Sequence, residues 1–166
     1  MITLIWNFFV TSKFLKDLVL VKLININDQH MISLCNSFDR LRSLKLYQLG
    51  DITDDAFSGI GSLHNLITID INNCQHITTK FFSHLTSSVS LCNLEFDAKI
   101  CCNVADTDDV ETDVLFLHQI PTLQKISIFV PFQMLEDFRV LRLFCKGKRW
   151  ILNLEQHCKF LLYKCT

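Results

Sequence analysis

The sequence predicts an α/β chain built from a repeated unit of about 25 residues, each a short strand followed by a helical return. Three observations predict it. LRSLKLYQLGDIT begins at Leu41, LITIDINNCQHIT at Leu66 and LCNLEFDAKICC at Leu91, so the starts fall 25 residues apart twice. Within these segments Leu44, Ile69 and Leu94 hold one register position, and Leu46, Ile71 and Phe96 hold another. Behind each strand, apolar residues change to helical spacing, as at Phe57, Ile60 and Leu63 and again at Phe82 and Leu85.

Composition agrees with a folded domain. The 166 residues are 49% hydrophobic and 20% charged, enough for one domain with a core. A formal net charge of −1 provides no general attraction to nucleic acid or to an anionic membrane, and neither is expected as a partner. Two prolines and four glycines are few for a hairpin-rich all-β fold. A flavodoxin-like arrangement would need longer strand–helix units and Gly-rich switch loops. The eight cysteines sit among apolar residues and read as buried free thiols. No Asn-x-Ser/Thr sequon occurs, which points to the cytoplasm or nucleus.

Along the chain, residues 1–13 read as an apolar N-terminal edge segment. MITLIWNFFV lacks a basic residue before Lys13 and a small-x-small cleavage site, so it is a poor signal peptide, and its apolar run is too short to span a bilayer. Residues 14–131 carry the repeats. LVLVKLI from Leu18 and LQKISIF from Leu123 fit the template at spacings of 23 and 32, the latter enlarged by an acidic insertion, 105–113, that reads as a solvated loop. Residues 132–166 are expected to supply a terminal helix with Phe132, Leu135, Phe138, Leu141 and Phe144 on one face. A strand at 150–154, read as a last repeat, and a C-terminal cap follow.

The template L-x-x-L-x-L with a period of 20 to 29 is the leucine-rich repeat pattern. Asn73-Cys74-x-x-Ile77-Thr78 and Gly50-Asp51-Ile52-Thr53-Asp54-Asp55 resemble the cysteine-containing leucine-rich repeats of F-box ubiquitin-ligase receptors and of the related small mitotic-exit antagonist family. The resemblance spans Leu18 to Val130. Only Cys74 matches the family's cysteine; Leu49 and Lys99 stand at that place in the neighbouring repeats. It implies a leucine-rich-repeat solenoid, a horseshoe arc of five to six strand–helix repeats with a parallel sheet on the concave face. Each strand's template leucines point inward, Cys74 gives its S–H to a carbonyl at the bend, and Thr53 or Asp54 and Thr78 or Thr79 cap the returns. It also implies the substrate-recognition part of a ubiquitin ligase and a ligase adaptor as partner, although the thirteen residues before the first strand are too few for an F-box. The alternative is a mitochondrial assembly factor, similar to the leucine-rich proteins related to the ATP synthase coupling subunit. An Arg-rich, acid-poor presequence would mark it, and MITLIWNFF is not one.

Catalytic and metal motifs are weak. Gly59-Ile-Gly61 lacks the third glycine of a phosphate loop, and no nucleophile elbow or zincin motif occurs. Cys74-x-His76, Cys101-Cys102 and His157-Cys158 lack zinc-ligand spacing or a facing nucleophile–base pair. No enzyme, cofactor or metal is therefore expected. The basic run Lys146–Arg149 reads as a solvated turn. The expected working surface is the row of strand residues that alternate with the core. It comprises Lys22, Lys45, Tyr47, Thr68, Asp70, Asn72, Glu95, Asp97, Lys125 and Phe129. Its middle column, Lys22, Lys45, Asp70, Glu95 and Ser127, runs from basic to acidic. Such a strip with Tyr47 and Phe129 as anchors suits a protein or peptide partner, while solubility alone also asks for charges on an exposed strand.

Overall fold

The computed structural model describes residues 14–101, 107–130, 150–155 and 159–164. They form an α/β chain with a mostly parallel sheet. In chain order the elements are β1 (Asp17–Val21), α1 (Asp28–Ser37), β2 (Ser43–Tyr47), two 3-10 turns (Asp54–Phe57 and Ile60–Ser62), β3 (Thr68–Asn72), α2 (Phe81–Leu85), β4 (Asn93–Asp97), a 3-10 turn (Ala98–Cys101), α3 (Thr107–His118), β5 (Lys125–Phe129), β6 (Trp150–Glu155) and β7 (Lys159–Lys164). Among the described residues the seven strands make one sheet, ordered β1-β2-β3-β4-β5-β7-β6.

The 25-residue spacing becomes the strand register. Leu44 pairs with Ile69 and Ile69 with Leu94; Leu46 pairs with Ile71 and Ile71 with Phe96. Ile126 and Ile128 continue both columns into β5. These side chains are at most 1% exposed, so each strand buries one face against the returns behind it. Full burial of one such aliphatic side chain contributes about 1.5–3 kcal/mol. Phe57, Phe81, Phe82 and Phe96 join the returns to the sheet, with successive ring centroids 5.0, 4.6 and 5.4 Å apart.

Main-chain contacts repeat with the same beat. The Lys16 carbonyl accepts from the amides of Arg42 and Ser43, Arg42 from Ile67 and Thr68, Ile67 from Cys92 and Asn93, and Cys92 from Gln124 and Lys125. At the far end of the first three strands, Lys22, Gln48 and Asn73 adopt left-handed φ values of 52°, 55° and 59°. Each turns the chain out of its strand.

Between units, carboxylates tie one return to the next. Asp28 accepts from Thr53 N and Oγ1, both at 2.7 Å, and Asp54 accepts from Thr78 N and Oγ1 at 2.8 and 2.7 Å. The threonines also cap: Thr53 Oγ1 accepts from Asp55 N at 3.3 Å, and Thr78 Oγ1 from Lys80 N at 3.2 Å. The carboxylates thus satisfy amides that the short returns cannot reach themselves.

Several expectations need correction. In the first unit Leu18 pairs with Leu44 and Leu20 with Leu46, so its spacing to the second is 26 rather than 23. A shift of three residues is odd, and it exchanges the two faces of β1. Lys22 therefore lies beyond the strand, and Val19 and Val21 take the outward places. The acidic stretch 105–113 is not a loop from 107 onward: Thr107–His118 is helical. Its Val110, Val114 and Leu117 are buried at helical spacing, and Asp113 accepts a 2.6 Å hydrogen bond from Thr79 Oγ1. The returns after β2 and β3 are 3-10 turns and a five-residue helix rather than full helices. The strand expected at 150–154 is present in β6, but it runs antiparallel to β7, which runs antiparallel to β5. The sheet is thus extended by a hairpin and not by another 25-residue unit. Residues 1–13, the helix expected across Phe132–Phe144 and the run 146–149 lie outside the described residues.

Asp54 is half-buried, and burial raises its carboxyl above the ordinary 3.8 despite the hydrogen bonds from Thr78. Asp54→Ala leaves the Thr78 amide without its acceptor and is expected to cost about 1–2 kcal/mol in urea unfolding at pH 7. Asp54→Asn keeps an acceptor and loses the charge, so it is expected to stay close to the parent. Because the folded-state value is raised, the aspartate's contribution falls as pH rises from 3.8, and the Asn variant's relative stability should grow over that window.

Candidate functional site

The outward positions of β2 to β5 come together as the register dictates. Ser43, Thr68, Asn93 and Lys125 form one row; Lys45, Asp70, Glu95 and Ser127 a second. Tyr47 is opposite Asn72 and Asp97 opposite Phe129. Adjacent strands lie about 4.8 Å apart, so neighbours in a row touch. Asn93 Nδ2, for example, donates to Thr68 Oγ1 at 3.3 Å. Val19, not Lys22, completes the middle row on β1. The basic end of the expected strip is therefore Lys45.

Exposure along the strip is uneven. Lys45, Tyr47, Thr68, Asn72, Glu95 and Lys125 are half-buried, and Phe129 is 42% exposed. Asp70 and Asp97, expected to project into solvent, are only 6% and 5% exposed. Ser127 is buried as well. The reason is local hydrogen bonding. Tyr47 Oη donates to Asp70 Oδ2, and Asn72 Nδ2 donates to Asp70 Oδ1 at 2.5 Å. Tyr47 is thereby anchored on the carboxylate beside it. Burial first, then the Asp70 hydrogen bond and the negative charges of Asp70 and Glu95, push the Tyr47 phenol well above its ordinary value. A phenolate there would add a third negative charge to the patch.

Asp97 has a different task. Its Oδ2 accepts from Asn73 N and its Oδ1 from Lys99 N, each at 2.7 Å. In the two earlier units the left-handed residue donates instead to a strand carbonyl: Lys22 N to Tyr47 O at 2.9 Å and Gln48 N to Asn72 O at 3.0 Å. The Asp97 side chain replaces that carbonyl in the third unit. Lys99 Nζ donates to Asn73 Oδ1 at 3.1 Å, closing the corner.

Two open depressions follow. One of about 330 Å³ is lined by Asn72, Asn73, Glu95, Asp97, Lys99 and Phe129. Another, about 260 Å³, is lined by Gln48, Gly50, Asn73 and Gln75. Of the strip residues expected from sequence, the first unites Asn72, Glu95, Asp97 and Phe129. Lys45 and Asp70 share Glu95's row and Tyr47 shares Asn72's, Thr68 and Lys125 lie one row away, and Lys22 stays apart. Asn73, Lys99 and Gln48 were not anticipated. Their signal was a position one or two residues past a strand's end: Gln48 after β2, Asn73 after β3 and Lys99 after β4.

Cys74 behaves as its spacing suggests. It is 4% exposed, and its Sγ donates to the Leu46 carbonyl at 3.7 Å and approaches that of Asn72 at 3.8 Å. Burial raises its thiol pKa and pushes that of Cys35 up to about 12. Gly59 is a close-approach residue: a Cβ there would meet Cys35 Cβ at 3.1 Å. That contact accounts for a glycine in the lone Gly-x-Gly. Among the described residues no group of three or more His, Cys, Asp or Glu is placed to hold a metal ion. Cys102, His157 and Cys158 lie outside the described residues, and Cys101 is buried. No described helix is long and apolar enough to cross a membrane. No known protein family and no curated protein matches the chain.

Tyr47→Phe removes one donor from a buried carboxylate and is expected to cost about 1–2 kcal/mol in denaturant unfolding at pH 7. The folded phenol is raised, so its contribution is present below its ordinary value near 10 and lost as pH climbs above it. The stability gap between parent and variant should therefore narrow above about pH 10. A gap that widens there would contradict the Tyr47–Asp70 contact.

Proposed function

We propose that this chain is a non-catalytic protein-binding module: a leucine-rich-repeat solenoid whose parallel strands line the concave face of a horseshoe arc. The partner is a protein or peptide seated across β2 to β5. The observation that carries this reading is the in-register row Lys45, Asp70, Glu95, followed toward the strand ends by a second row with Tyr47 on β2 and an exposed Phe129 on β5 beside an open depression. Mixed charge around aromatic anchors suits recognition of another polypeptide. The solenoid reading is supported by the repeated units that share one core, by the carbonyl contacts at each strand start and by the left-handed residue at three strand ends.

Within that reading, the resemblance of Asn73-Cys74-x-x-Ile77-Thr78 to cysteine-containing repeats supports a role as the substrate-recognition part of an F-box-type ubiquitin-ligase receptor, working in the cytoplasm or nucleus. The Cys74 hydrogen bond to Leu46 agrees with that resemblance.

Site-specific photo-cross-linking tests the face. A benzoylphenylalanine at position 45, on β2, is expected to capture a discrete partner that one at Gln29, exposed on α1, does not. Capture should fall at least about tenfold when Lys125→Glu inverts a charge on the same face, with circular dichroism unchanged. A partner captured equally from both positions and indifferent to Lys125→Glu would remove the proposal. Ubiquitin transfer to the captured partner, dependent on this chain, is the expected readout of the ligase role.

A further inference from the structure

The larger depression has a chemistry of its own. Asp97 spends both carboxylate oxygens on main-chain amides, and Lys99 spends one ammonium hydrogen on Asn73 Oδ1. Those contacts hold one wall. Glu95 and Phe129 form another, on the adjacent strands β4 and β5. Phe129 keeps 42% of its surface exposed, a large apolar ring at the mouth of a polar hollow. Two carboxylates against one ammonium leave the lining net negative.

A flat cation satisfies all of this. An aromatic face attracts a cation through its quadrupole, and a guanidinium stacks on it as well as pairing with a carboxylate through its fork. A lysine ammonium would use the charge but not the plane. Asn72 and Asn73 add amide donors and acceptors, the complement of a peptide main chain. We propose that this depression is a subsite for an arginine side chain of an extended partner segment, stacked on Phe129 and paired with Glu95. The proposal rests on the sheet face being the binding face and names the chemistry of what it holds.

Amide-resolved NMR of the full chain, titrated with acetyl-arginine-amide, tests it. Saturable shifts are expected at Asn72, Asn73, Asp97, Lys99 and Phe129. Acetyl-citrulline-amide, of the same shape without the charge, should give none, and acetyl-lysine-amide should bind about tenfold more weakly. Glu95→Gln and Phe129→Ala should each weaken the arginine response about tenfold with the remaining spectrum unchanged. Citrulline matching arginine, or shifts confined elsewhere, would overturn the subsite. The two readings fail separately. A partner cross-linked through position 45 while arginine leaves these amides unmoved refutes the subsite and keeps the face. An arginine response with no captured partner supports the subsite and refutes the partner reading.

Discussion

A single main-chain carbonyl just before each of β1 to β4 accepts two successive amides from the unit that follows, and the register of the parallel strands depends on it. Lys16, Arg42, Ile67 and Cys92 each supply one. The contact needs no particular side chain, so the sequence at those positions is free to vary. Its consequence is strict nonetheless. A slip by one residue would send Leu44, Ile69 and Leu94 to the solvent face and draw Lys45, Asp70 and Glu95 into the core. The apolar columns and the polar strip are thus two results of one constraint.

The period was legible because three units share it, and because a missing apolar residue at Leu44, Ile69 or Leu94 would leave a void no neighbour could fill. The first unit was misread because Leu15, Leu18, Leu20 and Leu23 offer more than one frame. Pairing chooses the frame with Leu18 beside Leu44, and half-buried Leu15 packs on the core. Helix α3 was hidden by composition. Its acidic residues suggested solvation, while Val110, Val114 and Leu117 carried the buried face. One carboxylate, Asp113, is itself a core contact through Thr79.

The polar strip was legible in position and less so in depth. Strand alternation says which residues point away from the core, but not which will be enclosed by their own neighbours. Asp70 is enclosed because Tyr47 and Asn72 both donate to it. Asp97 is enclosed because the chain turns back over it at Asn73 and Lys99. Both are consequences of cross-strand spacing that a single strand's pattern does not contain. The inter-unit carboxylates show the opposite case. Asp28 with Thr53 and Asp54 with Thr78 recur at spacings of 25 and 24, a signal present in the repeated Ile-Asn-Asp, Ile-Thr-Asp and Ile-Thr-Thr triplets.

The hidden thiols carry a last consequence. Cys35 sits on α1, against Gly59 of the next return, and Cys74 beneath the bend after β3; both are buried and both have acidities lowered by that burial. A buried thiol with little thiolate reacts with alkylating reagents only after its surroundings open. Cys35 and Cys74 sit in different strand–return units of the sheet. Their alkylation rates are therefore separate clocks, one per unit, timing whether the chain opens from one end or all at once.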